Sequence, residues 1–157
     1  MSYYVRVFCR ADESPPLCTV IDYVTGDRPQ LSIVSDDALN SADWEGATLT
    51  YKANKQPILV ECNRNTGEED CLAAEELAEF VELAEDSEDS PGKQQVIAHL
   101  RATKFIVACR LPTSDIDDDG YEANSQLLNY FVEHCGGMIQ ADGEGFYRED
   151  EVILPVE

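Results

Sequence analysis

Residues 104–156 read KFIVACRLPTSDIDDDGYEANSQLLNYFVEHCGGMIQADGEGFYREDEVILPV. A β-forming apolar run, 104–110, gives way at Pro112 to a polar, acidic loop. Apolar residues then recur at helical spacing over 121–135, and Gly136-Gly137 ends that helix where a positive φ costs little. Two more apolar runs, 137–142 and 151–155, predict strands. Between them, Asp142-Gly143-Glu144-Gly145 reads as a tight turn.

The first half repeats this plan loosely. Tyr3 to Cys9 alternates as a strand over 3–9, and Ser14-Pro15-Pro16 opens a helix over 15–25 that turns Leu17, Val20, Ile21 and Val24 inward. Strands are expected at 30–34, 47–52 and 57–62, the last two forming a hairpin with a solvated tip at Lys52–Lys55. Trp44, just before the hairpin, reads as a core residue. Helices are expected at 68–86 and at 91–102, the second with Ser90 as N-cap and Pro91 in the first position.

YVRVFCR, ending at Arg10, and FIVACR, ending at Arg110, both close an apolar strand with Cys-Arg, and each leads through a proline-bearing loop to a helix. The expectation is one α+β domain over 1–157 with mostly antiparallel sheet and helices on one face. Within it lie two βαββ-like units, 1–66 and 104–157, joined by a helical segment, 67–103. An internal duplication would account for the parallel.

The 157 residues carry a net charge of −21. That charge disfavours nucleic acid and anionic membranes as partners and favours basic proteins and cations. A salty surrounding medium would also account for it. Six cysteines make no C-x-x-C pair, so the paired spacing of a zinc site is missing, and thiols in a reducing compartment are expected. Cys9, Cys18, Cys109 and Cys135 lie in apolar patterns and should be largely buried. No apolar run reaches membrane length, and the N-terminal stretch lacks signal-peptide character. A cytoplasmic location follows as the expectation.

Two stretches could carry function. Eleven acids and no base lie between Glu68 and Asp89. On a helix there, Glu75, Glu79 and Glu82 are candidate contacts for a basic partner, against the simpler reading of a solvated face. The second stretch is Asp115-Ile-Asp117-Asp-Asp119-Gly120. Carboxylates at alternating positions before a glycine can turn oxygens onto one hard cation. This short run resembles the start of an EF-hand calcium loop, which makes Asp115, Asp117 and Asp119 candidate ligands for calcium or magnesium. It departs at Glu122 and again at Gln126, where the closing glutamate should stand. Otherwise the run is the N-cap and first turn of the next helix.

Enzymatic chemistry has no clear carrier. His134 and Cys135 are adjacent, so on a helix they diverge by about 100°. No serine sits in a nucleophile elbow, and the acids are too numerous to select a pair. No catalytic residue and no organic cofactor is expected. The sequence reads as a small binding or regulatory protein engaging a basic protein, comparable in charge and size to inhibitor or immunity proteins. The alternative is a ligand- or divalent-cation-responsive domain using Asp115–Asp119.

Overall fold

The computed structural model describes residues 3–66 and 71–156. The FIVACRL run becomes strand β5 of the full chain order: β1 Tyr3–Cys9, α1 Leu17–Thr25, β2 Ser32–Val34, β3 Gly46–Thr50, β4 Ile58–Arg64, α2 Leu72–Glu85, α3 Pro91–Ala102, β5 Phe105–Leu111, α4 Asp118–His134, β6 Gly137–Ala141, β7 Gly145–Arg148 and β8 Glu151–Leu154. Every residue of β5 except Arg110 is buried. A strand that is apolar on both faces needs cover on both, and it sits near the middle of the sheet. Among the described residues eight strands run β2-β3-β4-β5-β1-β6-β7-β8, with every pairing antiparallel.

The helices flank this sheet on both faces, which corrects the expectation of helices on one. Val5, Val7, Val107 and Cys109 turn to the face where α1 and α4 supply Leu17, Val20, Leu127 and Phe131. Phe8 and Ile106 turn the other way, onto Leu77 and Phe80 of α2 and Val96 and Leu100 of α3. The alternation inside β1 and β5 therefore divides two cores, not a core from solvent.

The strand order gives no support to a duplication. β1 lies between β5 and β6, whereas β5 lies between β1 and β4. A two-fold repeat of the β1–β6 pairing would place β2 beside β5, yet β2 is the far edge strand. The β7 strand was not foreseen, because its glycine-flanked start reads as turn.

Side-chain capping sets the start of α3 but not that of α1. Ser90 caps α3 by accepting from the Lys93 N–H at 3.1 Å, with Pro91 in the first turn. Ser14 does not cap α1. It is buried, donates to the Ala42 carbonyl at 2.6 Å and accepts from the Arg64 guanidinium. Trp44 is 1% exposed and donates its indole N–H to the Pro15 carbonyl at 2.9 Å. The expected start of the 68–86 helix at Glu68 lies outside the described residues, and α2 is helical from Leu72. Among the cysteines, Cys9, Cys62, Cys109 and Cys135 are buried, while Cys18, expected inside, is half-buried. No helix among the described residues is long and apolar enough to cross a membrane.

Candidate functional site

The acidic loop before α4 is already met by charge. Asp117 is the N-cap of α4 and accepts from the Gly120 N–H at 3.2 Å. The Lys52 ammonium lies 2.7 Å from the Asp117 carboxylate and 2.7 Å from that of Asp119. Asp115 accepts from the Gln56 backbone N–H at 2.6 Å and stands 3.6 Å from the Lys55 ammonium. At the β3–β4 hairpin tip, expected to be solvated, Ala53 and Asn54 are exposed, while Lys52 and Lys55 reach over to this loop. The Lys52 bond, foremost, holds the Asp117 carboxyl below its usual range.

Gly120 also has a packing reason. A Cβ there would come within 2.7 Å of the Tyr51 ring and 2.5 Å of the Ile116 side chain. Among the described residues, no group of three or more His, Cys, Asp or Glu side chains is placed to hold a metal ion.

The α2 acids divide into two sets. Glu76 turns toward the sheet, with its carboxylate 2.5 Å from Arg6 Nε. Arg6 also donates to Gln140 at 2.9 Å and to Asp142 at 2.8 Å. Its guanidinium lies 5.1 Å from the Tyr4 and the Phe80 ring centres. Glu85, the last residue of α2, meets Arg101 at 3.5 Å, and Asp89, beyond the helix, meets Lys93 at 3.1 Å. Glu75, Glu79 and Glu82 are exposed and form no ion pair among the described residues.

Two leucines share that outer face. Leu72 is 68% exposed and Leu83 44% exposed. Eleven residues make about three helical turns, so both leucines point the same way, roughly 16 Å apart, with Glu79 between them. Leu72 opens the helix but stays outside the core. Ala73 takes the buried position instead, one residue on.

Nucleophile–base geometry is absent from both histidines. His134 stands against the Tyr130 and Tyr23 rings, at 4.8 and 5.7 Å. His99 is buried and bonds through Nε2 to the Phe8 carbonyl at 2.6 Å. Burial, foremost, lowers its pKa. Among the described residues neither histidine bonds a cysteine.

Comparison with protein-family models, with curated proteins and with solved structures finds no match to this chain.

Proposed function

We propose that this is a binding protein that docks a basic protein surface on the outer face of α2. The observation that carries this reading is a pair of exposed leucines set among three carboxylates that no base answers. Glu76, Glu85, Asp89, Asp115, Asp117 and Asp119 each have a lysine or arginine beside them. Glu75, Glu79 and Glu82 have none, and they flank two exposed leucines. Apolar anchors within a ring of one charge sign suit a partner presenting lysines or arginines around an apolar centre.

The test compares two variants of equal charge change. Glu75→Gln/Glu79→Gln/Glu82→Gln alters the α2 face, and Asp12→Asn/Glu13→Gln/Asp27→Asn alters exposed acids elsewhere. Each is used to capture partners from a lysate, with cross-linking to map the contact. The α2 variant should lose the partner that wild type holds, and the control variant should keep it. Equal capture by wild type and both variants rejects the α2 face; equal loss in both assigns the binding to net charge.

A further inference from the structure

The sheet opens at one place. The β6 strand pairs with β1 along its whole length, Gly137 to Ala141, but with β7 only through Gln140 and Ala141. A register shift between Phe146 and Tyr147 accompanies the parting of β7 from β6. The first half of β6 thus has β1 on one side and a cleft of about 570 Å³ on the other. Helix α3 borders this cleft from one face of the sheet and α4 from the other. Its volume falls in the range of small-molecule sites.

The cleft brings two arginines together. Arg10 and Arg148 both line it, both are exposed, and neither is in an ion pair among the described residues. Each keeps one long bond: Arg10 Nε donates to the Gly136 carbonyl at 3.4 Å, and Arg148 Nη1 to Gln95 Oε1 at 3.3 Å. Most of their ten N–H donors are therefore uncommitted. His99 also borders the cleft, fixed by its bond to the Phe8 carbonyl. Val132, Met138, Ile139 and Tyr147, each only half-buried, supply the apolar part of the wall, and Gln95 and Asn129 add polar side chains to it. Glu149 and Asp150 complete the rim on the β7–β8 turn, and Glu149 holds a positive φ of 57°.

We propose that this cleft binds a small phosphate monoester with an apolar or aromatic body. Two guanidinium groups favour an anion, and a doubly charged phosphate gains from both. A phosphate has oxygens enough to accept from both guanidinium groups, whereas one guanidinium already meets both oxygens of a carboxylate. The half-buried apolar wall supplies a surface for the ester's organic part. The site shares no residue with the acidic face of α2, so it stands independently of the docking reading.

Phenyl phosphate is the probe, titrated at constant ionic strength into protein labelled for backbone amide resonances. Saturable shifts should appear at Gly137, Met138 and Ile139. Inorganic phosphate should bind at least tenfold more weakly and benzoate not detectably. Arg10→Gln/Arg148→Gln should abolish the response with the other resonances in place, and Asp150→Asn should tighten binding severalfold. Ala98→Trp, on the exposed α3 wall, fills the cleft and leaves both arginines. It should also block the probe, and it decides the matter if the double variant does not fold. Absence of saturable shifts, unchanged binding in Ala98→Trp, or benzoate binding as tightly as phenyl phosphate overturns the proposal.

Discussion

Arg6 joins three elements through one guanidinium: its own strand β1, the end of β6 with the following turn, and α2. It is only 15% exposed, so its charge is answered by protein and not by water. Replacing it by methionine removes the partner of a largely buried Glu76. Breaking buried pairs costs about 3–5 kcal/mol, and the partial exposure here reduces that to about 2–3 kcal/mol. Urea unfolding of Arg6→Met should show that loss, and Arg6→Met/Glu76→Met should recover part of it, because the stranded carboxylate is gone. Equal losses in the single and double variants would show that the Gln140 and Asp142 bonds carry the linkage instead.

His99 contributes a pH dependence at the same scale. Its folded pKa is lowered by burial, so the unfolded chain takes up the proton first as pH falls. The stability held by neutral His99 is therefore present above about pH 6.5 and is lost below it. His99→Gln, which keeps an N–H for the Phe8 carbonyl, should lose less stability than wild type between pH 7.5 and pH 5.5, read from paired denaturation curves. A parallel fall in both proteins would assign the acid sensitivity to other groups.

At the scale of elements, the backbones of α3 and β8 approach closely at Gly92. A Cβ on Gly92 would stand 1.9 Å from the Ile153 carbonyl oxygen. Backbone cannot yield as a flexible side chain does, so Gly92→Ala forces α3 away from β8. Overpacking of this kind costs about 1–3 kcal/mol. Amide exchange should speed first in 151–154, and unchanged protection there would show that α3 shifts freely. The acidic loop leads to a second expectation. Lys52 already bridges Asp117 and Asp119, so the melting temperature should be the same in calcium, magnesium and chelator. A calcium-specific rise would restore the ion reading of this loop.

These elements also mark what sequence could reveal. Periodicity located β1, β4, β5 and all four helices, because each buries a repeating apolar face over seven or more residues. It missed β7, four residues that begin at Gly145 with a φ of 128°. Helical spacing says that one face is buried but not which side of the sheet receives it, so the α2–α3 layer was misplaced. The placement of β4 beside β5 depends on pairing across the whole helical segment, which no local pattern records. At the candidate sites the acids were legible, but their partners were not. Lys52 and Asp117 are distant in sequence and meet only through the hairpin.

For the whole molecule, the charge of −21 acts on every exposed acid at once. Its effect should be sharpest on α2, where Glu75, Glu79 and Glu82 stand at helical spacings of four and three without a base beside them. Like charges at those spacings destabilise a helix by about 0.2–0.5 kcal/mol per pair. Glu75 lies in the first turn, where the helix dipole favours it, and Glu82 lies near the end, where the dipole opposes it. The dipole contributions largely cancel in the triple glutamine variant, leaving the relief of repulsion. That variant should therefore be more stable than wild type by about 0.5–1 kcal/mol at low salt. Salt screens exposed charges beyond about 8–10 Å, so raising it should stabilise wild type more than the variant and close the gap. Partner binding on this face should respond in the opposite sense, weakening as salt rises and weakening again in the variant. Thermal melts and binding measured over one salt series separate the two. A variant that melts below wild type at low salt would mean that these glutamates hold the helix in place and are not an unpaired face awaiting a partner.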